Sequence, residues 1–178
     1  VLAVANGGPD EVRVSVQVVT DRSVFTPKDV PDLRVPPQST AKLNLSGVLE
    51  KLVADGDATG LLVTATQPVT ATLRSQADGD LSHAVADPVV DGAATVLLPE
   101  AAAPAKTLVL AGAVKAGSVE VVARSSDGRE LSTDTVDLAP DRGASLKLPD
   151  ATALLTVTPR RSTVAGAVLV AGQGAAVV

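Results

Sequence analysis

The chain has 178 residues, 46% of them hydrophobic but only 1% aromatic, and 15 basic against 20 acidic side chains give a net charge of −5. With Phe25 as the one aromatic residue, stacking platforms for sugars or single-stranded nucleic acid and cation–π cages cannot be assembled. No basic stripe is present and Arg160-Arg161 is the densest basic pair, which argues against a nucleic-acid partner, since phosphate backbones need clustered Lys and Arg.

Strand signals dominate from the first residue. Val1 to Ala5 reads as a strand, and Asn6-Gly7-Gly8-Pro9-Asp10 as a turn. Val12, Val14, Val16 and Val18 alternate with Arg13, Ser15 and Gln17, which gives one apolar and one polar face. Leu33 to Leu45 reads as strand, Pro-containing turn, strand. Ser46 to Val53 is the single helical stretch, with Ser46 as its expected cap and Val48, Leu49 and Leu52 on one face. At two turns it cannot stand alone and is expected to plug one end of a sandwich. Gly60 to Thr66 and Val69 to Ser75 form two strands around Gln67-Pro68, because Pro cannot donate to a ladder. Asp55-Gly56-Asp57 and Asp78-Gly79-Asp80 are turns. Residues 81 to 106 hold a domain boundary, placed near residue 91, and a short strand over Ala94 to Leu98.

The second half then repeats the first. Leu33 to Leu45 is echoed without a gap by Val136 to Leu148. Thr107 to Gly112 answers Val1 to Asn6, and Ser118 to Ser125 answers Val12 to Val19. Asp127-Gly128 is a hairpin signal. Leu154 to Thr158, Pro159 and Val164 to Ala171 answer Leu61 to Leu73, while the helical insert has no counterpart. Short strands at about 8–12-residue spacing, without crossover helices, predict antiparallel sheets. The expected fold is all-β: two tandem immunoglobulin-like or fibronectin-like sandwiches, 1–90 with the insert at 46–55, and 91–178.

Candidate chemistry is sparse. His83 is the one histidine, and Ser82 beside it points to the opposite face of a strand. No nucleophile-elbow pattern occurs. Zero Cys excludes disulfides and thiolate metal sites. Asp55, Asp57, Asp78 and Asp80 are loop carboxylates of the kind calcium takes, but EF-hand spacing is absent and Asp-Gly is ordinary turn chemistry. No catalytic, cofactor-binding or metal-binding residue is assigned, no cofactor is implied, and the chain is read as not an enzyme.

Val1 to Gly8 followed by Val12 to Val19, Leu33 to Leu45, Leu61 to Leu73, Ala94 to Pro99 and Thr107 to Leu110 resemble an uncharacterised actinobacterial family of secreted or membrane-anchored proteins. Its Val/Leu/Ala-rich β units repeat in tandem. The second copy departs by having Ala113-Val114-Lys115-Ala116-Gly117 where an Asn/Gly/Pro turn is usual. The resemblance implies a location outside the cytoplasm, with an anchor upstream of Val1, and brings no catalytic residues. The chain has no apolar run near the ~20 residues a bilayer needs. It opens on a strand and lacks Met, so it is expected to be a piece of a longer precursor. The expected function is a structural or interaction module of the bacterial cell envelope, its partner a protein or an envelope polymer. The alternative is a polysaccharide-binding module using polar loops near Asp78 to Asp91.

Overall fold

A computed structural model describes residues 1–54, 58–77, 80–86, 89–98, 105–111, 115–171 and 176–177. The N-terminal half contains β1 (Leu2–Asn6), β2 (Val12–Thr20), β3 (Val24–Phe25), β4 (Leu33–Val35), β5 (Ser39–Leu43), α1 (Ser46–Ala54), β6 (Ala58–Ala65), β7 (Thr70–Ala77) and β8 (Asp80–Val85). The C-terminal half contains β9 (Ala94–Leu97), β10 (Ala105–Ala111), β11 (Gly117–Arg124), β12 (Glu130–Leu138), β13 (Ala144–Leu148), β14 (Leu154–Arg160), β15 (Ala165–Ala171) and β16 (Ala176–Val177).

The fold is all-β, and its sheets are antiparallel. One sheet runs β5-β1-β7-β8, and another places β3 and β4 along β2, with β6 also paired to β2. The C-terminal half repeats the first order as β13-β10-β15-β16; in its second sheet β12 corresponds to β3 and β4, β11 to β2 and β14 to β6, and β9 adds a strand beside β14. One apolar cluster takes Leu2 and Val4 from the first sheet and Val12, Val14 and Val16 from the second. The other takes Leu108, Leu110 and Val168 from one sheet and Val119, Val121 and Leu155 from its neighbour. With almost no aromatics to fill space, both cores are built of Val, Leu and Ala, residues that suit a pleated surface.

Register confirms the repeat and corrects one detail. Leu43 lies opposite Leu2, and its echo Leu146 lies opposite Leu108. Val35 lies opposite Val12, and its echo Leu138 lies opposite Gly117. Val12 is therefore answered by Gly117, not Ser118, and the expected match of Ser118 to Ser125 with Val12 to Val19 is one residue out. A one-residue slip would turn every core side chain to solvent. With the corrected match, Val14, Val16 and Val18 correspond to Val119, Val121 and Ala123, all buried. Thr20 then corresponds to Ser125, and each closes the turn after its strand. The Thr20 hydroxyl donates to the Ser23 carbonyl at 3.1 Å, and the Ser125 hydroxyl to that of Arg129 at 3.1 Å.

Local chemistry explains the turns. Asn6, 2% exposed, donates from Nδ2 to the carbonyls of Asp10, Val35 and Pro36 and accepts from the Gly8 N–H. Gln38 takes a left-handed φ of 52°, and its amide donates to the carbonyls of Gly7 and Gly8, which locks two turns together. Gly128, at φ 85°, closes the Asp127-Gly128 hairpin, where a side chain would be strained. There the Ser125 hydroxyl, then the Arg129 N–H, hold the Asp127 carboxyl below its ordinary pKa.

The helix starts differently from the expected capping. The Asn44 side-chain oxygen accepts from the Ser46 N–H at 3.1 Å and from the Ser46 hydroxyl, so Asn44 does the work expected of Ser46. Val48 and Leu49 pack on the N-terminal core beside buried Leu45, and the Leu52 side chain lies outside the described residues. β8 was not expected. It forms a hairpin with β7 over Thr72↔Val85 to Ala77↔Asp80. Pro159, expected in a connection, lies within β14. The last β9 partner is opposite Val157, so Pro159 falls beyond the doubly paired stretch, where a missing N–H is tolerated.

The two halves meet. Val18 and Val19 are both 0% exposed, and consecutive strand residues face opposite sides. Val18 points into the core side of β2, so Val19 is covered on the outer side. On β10, Val109 is buried between Leu108 and Leu110 but belongs to the outer face, and β10 contacts β6. β8 also contacts β16. Ala86 N–H donates to Ala71 at 2.8 Å, and Val90 exchanges two hydrogen bonds with Val164. Residues 87–89 alone separate these anchors. Among the described residues no helix is long and apolar enough to cross a membrane.

Candidate functional site

Besides the helix, the halves differ at the start of β11. Where the N-terminal half has Val12, fully buried, the C-terminal half has Gly117. A Cβ there would sit 2.6 Å from the Arg160 carbonyl oxygen and 2.8 Å from the Ser162 Cβ, so the position accepts only glycine. The turn after β14 has moved into that space. Ala65 and Pro159 occupy matching places opposite Val14 and Val119, as do Leu73 and Val168 opposite Leu2 and Leu108. The path between them takes eight steps in the first half and nine in the second.

The extra residue changes the backbone. Arg161 takes a φ of 61°, a left-handed conformation that costs free energy in a residue with a Cβ. Ser162, 8% exposed, anchors the turn by donating its hydroxyl to the Lys115 carbonyl at 2.7 Å. Gln38, the other non-glycine residue in this conformation among the described residues, repays the strain with its amide hydrogen bonds. Among the described residues the Arg161 side chain makes no such bond.

Between these parts lies an open cleft of about 480 Å³ lined by Lys115, Ala116, Gly117, Ser118, Asp137 and Arg161. Asp137 and Ser118 face each other across the β11–β12 ladder. Lys115 and Arg161 are exposed and line the same cleft. Arg160 is engaged elsewhere, 3.5 Å from Glu120. Among the described residues no ion pair includes Lys115, Asp137 or Arg161. Two cations without an ion pair among the described residues, one carboxylate and one hydroxyl therefore border one concavity.

The residues weighed from sequence fall elsewhere. His83 is exposed on β8, opposite Arg74. The Ser82 side chain, and Asp55, Asp57 and Asp78, lie outside the described residues, and Asp80 opens β8. Among the described residues no group of three or more His, Cys, Asp or Glu is placed to hold a metal. Of the stretch from Asp78 to Asp91, residues 78–79 and 87–88 lie outside the described residues. A polar cleft lies at Lys115 to Ser118, Asp137 and Arg161. Two features of the sequence mark it without identifying a site: the departure at Ala113 to Gly117 and the basic pair Arg160-Arg161. Only the fold brings them together.

A family model described as a family of unknown function, DUF5719, matches residues 1–149. The chain belongs to that family. The match spans the N-terminal sheets and reaches past β13. It takes in the cleft residues Lys115 to Asp137 and stops before Arg161. No curated protein and no solved structure matches the chain.

Proposed function

We propose that the chain is a non-enzymatic, extracytoplasmic module of the bacterial cell envelope: two tandem β-sandwiches that form a rigid spacer and offer their outer strands to a protein or polymer partner. The observation that carries this reading is the connection between the halves. Ala86 is bonded into one half and Val90 into the other, and three intervening residues span at most about 10 Å. Together with the buried Val19 and Val109, that leaves little room for hinge motion. The proposed boundary is therefore at 87–89, close to the 90/91 expected from sequence.

The immunoglobulin-like part of the proposal rests on the centre of each unit. Counting β9 as the first strand, β10–β13 and β11–β14 are the B–E and C–F pairings of that arrangement. The outer strands are exchanged, since β9 pairs with β14 and β15 with β10. The location rests on the resemblance to secreted actinobacterial proteins and on the absence of Cys, Met, Trp and Tyr, side chains at risk in an oxidising setting. The test is labelling of intact producing cells with a membrane-impermeant amine reagent. Modification of the lysines before lysis is the expected result, and modification only after lysis would refute the location. A polysaccharide-binding role is the second reading, favoured by the polar cleft.

A further inference from the structure

We infer that the Gly117 cleft binds a hydroxylated oxyanion, a sugar carboxylate or a polyol phosphate, with the anion on Lys115 and Arg161 and its hydroxyls on Asp137 and Ser118. The inference gives a ligand class to the second reading above and rests on the cleft, not on the spacer reading. Three features carry it. The first half of the repeat fills the matching position with the fully buried Val12, so the fold itself does not require glycine here. The second half has instead the glycine that the Arg160–Ser162 turn requires. The turn then holds an arginine in a strained conformation with its guanidinium unpaired among the described residues, and backbone strain of this kind clusters at functional sites.

The charges select the ligand. An ammonium and a guanidinium lining one 480 Å³ cleft favour an oxyanion, and the guanidinium fork matches carboxylate or phosphate geometry. A simple anion would also meet the Asp137 carboxylate and be repelled. A ligand that carries hydroxyl groups beside its anion turns that carboxylate into an acceptor, and the Ser118 hydroxyl can serve as donor or acceptor. No aromatic surface is needed for this recognition.

The experiment is an amide chemical-shift titration of the whole chain with glucuronate, glycerol 1-phosphate, glucose and acetate. Either hydroxylated anion should shift the amides of Gly117, Ser118 and Asp137 saturably. The one that does so identifies the source as carboxylate or phosphate. Glucose, lacking charge, and acetate, lacking hydroxyls, should bind at least about tenfold more weakly, the loss of one charge-assisted contact. Arg161→Gly relieves the left-handed strain, so it should keep or raise the Tm while weakening binding about tenfold. The inference fails if neither hydroxylated anion binds, if acetate or glucose binds as well, or if Arg161→Gly binds like the parent. Unlike these results, the rigidity of the paired halves does not depend on the cleft.

Discussion

Gly143 donates its backbone N–H to the carbonyl of Thr20 at 2.6 Å, tying the end of β2 to the segment that leads into β13. Gly143 belongs to the echoed stretch, at the place Thr40 holds in the first copy. The same motif therefore serves two purposes: both copies use it to build a strand pair, and the second also uses it to hold the first. Val19 lies next to Thr20 and is closed from solvent, so the bond sits at the margin of an apolar contact. A hydrogen bond shielded in this way exchanges less readily with water than one on an open surface.

Asn6 is the pin of the N-terminal half. Replacing it with Ala leaves the carbonyls of Val35 and Pro36 and the Gly8 N–H without their partner. Asn6→Ala should destabilise the chain by about 2–3 kcal/mol, read as a lower urea midpoint with an unchanged slope. An unchanged midpoint would mean that water replaces the side chain without cost.

Lys106 plays the matching role in the C-terminal half. It is 2% exposed, and its Nζ donates to the carbonyls of Asp150 at 2.9 Å and Thr152 at 2.6 Å. Lys106→Met keeps the apolar stem and removes the donors, leaving two acceptors to find water. The expected loss is about 1–3 kcal/mol, measured by thermal or urea unfolding. A gain in stability would show that burying the ammonium costs more than its two bonds return.

The hairpin at Asp127 should respond to acid. Its carboxyl is held below the ordinary range by the Ser125 hydroxyl and then the Arg129 N–H. A depressed folded pKa stabilises the folded state at pH values above the ordinary carboxylate pKa, about 3.9. That contribution is lost as pH falls through the lower, folded value. The Arg129 amide should report the titration with a midpoint below 3.9, and Asp127→Asn should remove it. A midpoint at or above 3.9 would contradict the hydrogen-bonded hairpin.

Much of the fold was legible because its signals are local. The alternating valines from Val12 to Val18 declared their face, and Pro36-Pro37 and Asp127-Gly128 declared their turns. β8 was not legible. Asp78-Gly79-Asp80 read as a terminator, and an edge strand with exposed Leu81, His83 and Val85 carries little apolar alternation. The one-residue slip at β11 arose because Val121 and Val122 are both apolar, so only pairing with β12 fixes which one faces the core. The cleft was hidden for another reason. A left-handed backbone is normally announced by Gly or Asn, and at Arg161 neither is present. Its two halves are also more than forty residues apart in sequence, and they meet only because Ser118 lies opposite both Asp137 and Arg160.

The central claim is that the two halves form one rigid body, and residual dipolar couplings of backbone N–H groups test it most directly. Couplings from β1 to β8 and from β9 to β15 should fit a single alignment tensor. Val109→Asp, which places an unpaired charge at the junction, should split the fit into two. If the parent chain already needs two tensors of different magnitude, the halves move independently and the spacer reading is wrong.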